Sequence, residues 1–356
     1  MKTIKLLAIL FLLAILIAAC SDNPANEDIE DPIPEYNVHF THTPLALPDD
    51  LVQIAPQGIH GPPNHTVPRA HIGMEYLDTN LPRDEWNLRH VPVYAPADGF
   101  VRIAFRGDDH QIFVGADPAI PHSHNSNWYH IGHILLRDDI DVGTELKAGE
   151  MIGTTSLLAT GIDFGVVDYS LELSYINPER YTDRWRYGAN PLRYYDEPLK
   201  SQFLALVDRE DQDKYGKIDY DIPGRLSGGW FHETLTEFEG SQMPEAWSRN
   251  LAFMYHAKYP DLKILSSGGC DDCPLPAFGW VVHPDDPDWG EVSVETGPVI
   301  YRLYFGFVDW ENEQWFPPAF WAMVELFSDG EMYLEAFESL QEAEAGFTGN
   351  RVRYIR

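Results

Sequence analysis

Cysteine is scarce in this chain. Only Cys20, Cys270 and Cys273 occur among 356 residues, which excludes a disulfide-dense scaffold. No second pair of cysteines exists to complete a four-ligand structural zinc site with Cys270 and Cys273. Basic residues are scarce too: 25 Lys and Arg stand against 56 Asp and Glu, for a formal net charge of −31. A surface of that sign repels phosphate backbones, so nucleic acid is excluded as a natural partner. The apolar run at the N-terminus, Leu6 to Ala19, has 14 residues, too few for a comfortable membrane span. No long segment carries a convincing helical apolar repeat. Gly-x-Ser-x-Gly, His-Glu-x-x-His and a phosphate-cradling Gly loop are all missing, which argues against those chemistries.

What is present begins with an export signature. Lys2 and Lys5 precede the apolar run, and Ile17-Ala18-Ala19-Cys20 ends it. A basic start, an apolar middle and small residues before a cut describe a secretory leader, residues 1–19. Small residues directly before Cys20 resemble the bacterial lipobox. That resemblance implies cleavage before Cys20, its acylation, and a membrane partner through the lipid. The place implied is the bacterial cell envelope. Ser21 rather than Asp follows Cys20, which in that sorting pattern favours the outer membrane over the inner. Residues 20–40 then read as the lipidated Cys and a tether rich in Asp, Glu, Pro and Asn. Losing residues 1–19 removes two Lys and no acid, so −31 becomes −33. With Cys20 lipidated, Cys270 and Cys273 remain, and a local disulfide is the favoured reading in an oxidising compartment. The thioredoxin-like context that a redox Cys-x-x-Cys needs is not visible around them.

The remainder divides into two β-rich units, with no clear internal repeat in either. Residues 41–207 read as short strands set off by Gly, Pro and Asp turns: Phe100–Phe105, Gln111–Val114 and Trp128–Leu136, then a hairpin punctuated by Gly143 and Gly149. Residues 178–205 are ambiguous, with Phe203–Val207 suited to the end of a short helix. Residues 208–222 are polar and read as a linker or long loop. In residues 223–356 the expected strands are Val292–Thr296, Val299–Phe305, Phe320–Phe327 and Met332–Phe337. The last two flank Asp329-Gly330, a strong hairpin signal. Seven of the ten Trp fall in this half. Many short strands with large aromatics predict a small barrel or a sandwich. Gly229-Trp230-Phe231 resembles the start of lipocalin-like barrels.

One stretch carries chemistry. His71-Ile-Gly-Met-Glu75 is followed by Pro92–Val101, then His130-Ile-Gly-His133, then Val142–Gly153, then Gly161-Ile-Asp-Phe-Gly-Val166. In that order the phrases resemble the lysostaphin-type (LytM-like) zinc endopeptidases that cut peptidoglycan cross-bridges. The resemblance covers about 100 residues, and Pro92–Val101 and Val142–Gly153 are its most persuasive pieces. It implies a LytM-like β-sheet or barrel-sandwich unit, and a zinc site made from His-x-x-x-Asp and the second His of His-x-His. Two further His would flank the zinc-bound water. Such a site needs three ligands and an open position, so that zinc can acidify water and polarise an amide.

The match is broken at the chemistry. His71 stands at the first ligand. Glu75 stands where Asp is expected and is one methylene longer. Asp163 stands at the third ligand, where a second carboxylate would weaken zinc as a Lewis acid. Gly161 stands where a flanking catalytic His is expected and has no side chain. His133 best matches the mid-chain catalytic His, with His130 as the other candidate. The set that the resemblance offers to zinc is His71, Glu75 and Asp163. Each of these residues also has a bland reading: a solvated carboxylate, or a hydrogen-bonded buried His. His122 and His124 read as a loop pair whose metal binding would be adventitious.

Three functions follow. The first is an envelope lipoprotein whose LytM-like unit binds or regulates without catalysis, with peptidoglycan or an envelope protein as partner. The second is a variant zinc metallopeptidase acting on peptidoglycan peptides. The third is a carrier of an apolar ligand, which requires a sizeable apolar cavity in the C-terminal barrel.

Overall fold

The computed structural model describes residues 37–116, 126–235, 244–305 and 317–356. Cys20 with its leader and tether, the pair His122 and His124, and Trp310 and Trp315 lie outside the described residues. The chain is built mainly of β-strands, arranged as one extended sheet followed by one closed barrel.

The sheet holds β1 (Gln53–Ala55), β2 (Ile72–Glu75), β3 (Pro92–Tyr94), β4 (Gly99–Phe105) and β5 (His110–Gly115). It continues with β6 (Trp128–Leu136), β7 (Glu145–Leu146), β8 (Met151–Thr155), β9 (Gly161–Val167) and β10 (Gly188–Ala189). The strand order is β1-β2-β9-β6-β5-β4-β7, with β8 pairing β6 and β3, and β10 pairing β9. The neighbours described by register are antiparallel throughout. Period-two alternation assigns the faces. Ile72, Met74, Ile112, Val114, Tyr129, Ile131, Ile162, Phe164 and Val166 all point into one apolar core. The residues between them share the opposite face, and that is where the polar side chains gather.

The barrel holds β11 (Gly228–His232), β12 (Asn250–Tyr255), β13 (Lys263–Ser267) and β14 (Phe278–Val282). It closes through β15 (Val299–Tyr304), β16 (Phe320–Ser328), β17 (Glu331–Phe337) and β18 (Val352–Ile355). Each strand pairs antiparallel with the next, and β18 returns to β11. Asp329-Gly330 joins β16 to β17, as the dipeptide predicts. Among the described residues the interior is filled: Trp230, Phe253, Trp280, Trp289 and Tyr301 are all under 2 % exposed and belong to one apolar cluster. The carrier reading thus lacks the large cavity it needs in the described part of the barrel.

Three segments differ from, or sharpen, the sequence reading. Val292–Thr296, expected as a strand, instead carries a 3₁₀ turn at Val294–Thr296. Ser293 and Thr296 cap each other reciprocally there, so local side-chain bonding overrides the β-preference of the two Val. Leu199–Leu206 is a helix, which resolves the ambiguous stretch before residue 207. Residues 208–222 form neither strand nor helix, yet they are tightly packed. Arg209 donates to the carbonyls of Asp213 and Ala257, and Asp221 accepts from the amides of Ile176 and Gly229. The described residues from 37 onward form one compact unit, and Cys270 and Cys273 are joined by a disulfide.

Candidate functional site

The polar face of the sheet is organised in cross-strand rows. Glu75 of β2 pairs with Gly161 of β9. Gly73 pairs with Asp163, which pairs with Gly132 of β6. His130 pairs with Gly165 on one side and Phe113 on the other. Each row sets a glycine beside a polar residue, and the glycines make the room. A Cβ on Gly73 would come within 2.5 Å of Glu75 Oε1 and 2.9 Å of Arg69 Nη2. A Cβ on Gly161 would strike the Met74 carbonyl and lie 2.7 Å from Glu75 Oε2. The Met74 carbonyl, with the Glu75 backbone and carboxylate beside it, thus occupies the space that a side chain at position 161 would require.

His71, immediately before β2, is brought to Asp163: Nε2 lies 3.1 Å from Oδ2. His133 reaches the same carboxylate, with its Nε2 3.4 Å from Asp163 Oδ2. It does so from a β-bulge. Gly132 pairs with Gln111 and Ile134 with His110, so His133 is the extra residue. Its φ of 59° makes it the single non-glycine residue at positive φ among the described residues. Its other nitrogen donates to Asp109 Oδ2 at 2.5 Å. Glu75 is held elsewhere, accepting from the Thr160 hydroxyl at 2.5 Å. His130 is buried, stacks on Phe113 and lies 5.8 Å from His71 between ring centroids.

The charges follow from this packing. Burial opposes the Asp163 charge, but His71, His133 and Arg69 outweigh it and hold the carboxyl well below its usual range. Burial would lower His133, yet Asp163 and Asp109 on either side raise it. The two carboxylates thus favour the protonated form of His133 more than an isolated imidazole would. Burial lowers His71 and, more strongly, His130, so these two favour the neutral form. Burial raises Glu75, with Thr160 and Arg69 pulling the other way.

This set of donors fits zinc poorly. Among the described residues, His71, Glu75, Asp163 and His133 offer no three donor atoms lying within 4.8 Å of one another. The described group that does so is His232, Cys270 and Asp272, and its Cys is taken up in the disulfide. A cation already stands among the carboxylates: Arg69 Nη1 is 4.0 Å from Asp163 Oδ1. Above Glu75, Gly161, Asp163 and His133 opens a groove of about 280 Å³. Arg69 and Arg83 line it, and Trp86, Leu88 and Leu158 add apolar surface.

No family model and no curated relative matches the chain. Several solved structures are similar at low identity. A zinc-containing peptidase from Vibrio cholerae is 16 % identical, with 36 % of each chain covered and a TM-score of 0.25. Helicobacter pylori Csd3 is 17 % identical over 41 % of this chain and 34 % of that one, with a TM-score of 0.23. Lysostaphin in solution is 13 % identical over 90 % of this chain and 86 % of that one, at 0.23. The chain spans about a third of the length of the first two. Scores this low carry no weight for relationship or activity.

Sequence reasoning missed Arg69, Asp109 and Thr160. Arg69 stood two residues from His71, in step with the alternation that carries His71, Gly73 and Glu75 onto one face. Asp109 and Thr160 lie in turns, and no periodicity marks them.

Proposed function

We propose that this protein is a lipid-anchored component of the bacterial cell envelope whose LytM-like sheet unit binds peptidoglycan peptides without cutting them. The observation that carries the reading is the engagement of the would-be ligands. Asp163 Oδ2 lies 3.1 Å from His71 Nε2 and 3.4 Å from His133 Nε2, Glu75 accepts from Thr160, and Arg69 sits beside both carboxylates. Gly161 supplies no proton-transfer group, and general acid–base help is typically worth ~10²–10⁴ in rate. The lipobox-like Ile17–Cys20 supports the anchor, and Ser21 supports the outer membrane. A variant zinc peptidase is the second reading. One observation favours it: His71 and His133 both bring Nε2 to Asp163 Oδ2, at 3.1 and 3.4 Å.

One preparation tests these readings. The mature protein is incubated with cross-linked peptidoglycan, with and without added zinc, and with chelator. It should sediment with the polymer in every condition and release no more than trace muropeptides. Ordinary turnover that chelation stops would replace this reading with the peptidase. In cells, wild type should fractionate with membranes and Cys20→Ala should be soluble; equal membrane association of the two would refute the anchor.

A further inference from the structure

Arg69 is a half-buried cation without a hydrogen-bond acceptor among the described residues. Its Nε and Nη2 are shielded and have no acceptor among the described residues. Its Nη1 reaches only to 4.0 Å from Asp163. A guanidinium presents five donors in a rigid fork, and leaving charged donors unpaired in a low-dielectric site is costly. The fold nonetheless builds a place for it: Gly73 lacks the Cβ that would stand 2.9 Å from Nη2. The groove above is unusual for this molecule. Acids outnumber Lys and Arg by 56 to 25 in the chain. Yet Arg69 and Arg83 line the groove against Glu75 and Asp163, and Arg184 lies close enough to feel the Asp163 charge.

We infer that this groove is a metal-free receptor for the free carboxylate at the end of a short peptide, with Arg69 as its fixed cation. The inference rests on the non-catalytic binding reading above and names the ligand group that such a site takes. With Nε and Nη2 shielded, the Nη1 edge is the part of the guanidinium that can give a carboxylate a charge-assisted hydrogen bond. A single negative charge suits a floor that already holds Asp163, where a doubly charged phosphate would meet stronger repulsion. About 280 Å³ lies near the lower end of ligand-pocket volumes, ~300 Å³, which suits one or two small residues. Trp86 and Leu158 offer apolar contact for their side chains.

The test is calorimetry on the mature, chelator-treated protein with N-acetyl-dialanine, in both chiralities, and with the matching C-terminal amides. The acid of one chirality should bind at least about tenfold tighter than its amide. Arg69→Gln should erase that preference, and Arg69→Lys should keep only part of it. Circular dichroism and urea unfolding check that each variant is folded. Equal affinity for acid and amide, no binding of either, dependence on added zinc, or an unchanged preference in folded Arg69→Gln would each overturn the inference. If peptidoglycan still sediments the wild type in those cases, the binding reading stands and only the carboxylate assignment falls. If the wild type fails to bind peptidoglycan at all, the binding reading falls first.

Discussion

His133 is the residue on which the site turns. A non-glycine residue at positive φ stores on the order of 1–3 kcal/mol, and here that strain brings an imidazole between Asp109 and Asp163. The strain can be separated from the lost contacts by comparing two truncations. His133→Gly and His133→Ala both lose the imidazole, but only Ala retains the left-handed penalty. The Gly variant should therefore be more stable than the Ala variant by about 1 kcal/mol in urea unfolding. Identical midpoints and slopes would mean that the bulge relaxes freely and that His133 is not held under strain.

At the scale of elements, the barrel depends on how its ends are closed. Strands β11 and β18 share only the pairs Phe231–Ile355 and His232–Tyr354 in register. Arg356 reinforces that seam. Its guanidinium donates to the carbonyls of Ser227, Asp329 and Ile222 and lies 4.1 Å from the Trp230 ring centroid. Replacing it strands buried carbonyls as well as removing a cation–π contact. Arg356→Ala should lower stability by ~2–4 kcal/mol, read as a fall in the urea midpoint with little change in slope. A loss below about 0.5 kcal/mol would assign the closure to the strand pairing alone.

At the scale of the whole molecule, two histidines join the sheet unit to the barrel. His60, beyond β1, sits where a Cβ on Gly279 of β14 would be, and its ring meets His256 at 5.6 Å between centroids. Burial, then the neighbouring His256, lowers His60 to about 3. Burial, then Lys258, lowers His256 to about 4. A lowered folded pKa means that the unfolded chain takes up the proton first. The stability these groups contribute is therefore complete above pH 6.5 and lost as pH falls from 6.5 towards 3. The slope is about 1.4 kcal/mol per pH unit for each group that stays neutral in the fold. Comparing wild type with His60→Gln removes the background from the many acids. The stability advantage of wild type should shrink by ~1–2 kcal/mol between pH 7 and pH 5.5, and a constant difference would show that His60 titrates normally.

The sequence by itself determined the local structure. Alternation at Trp128–Leu136 and the Asp329-Gly330 dipeptide each specify strands through backbone and side-chain preferences that act over a few residues. The same alternation fixes which face of β9 is apolar, and so places Asp163 away from the core. Val292–Thr296 escaped this reading because Ser293 and Thr296 bond to each other locally, against the preference of the Val. The likeness of His71, Glu75, Gly161 and Asp163 to a zinc peptidase pattern was also legible. Only the tertiary structure decided what those residues touch. Whether two carboxylates converge on a metal or on a guanidinium depends on the register of β2 against β9 and on the bulge in β6. It depends as well on loops that carry Arg69, Asp109 and Thr160 in from outside the motif. Those distances are set by packing among residues far apart in the chain, so no motif spacing encodes them.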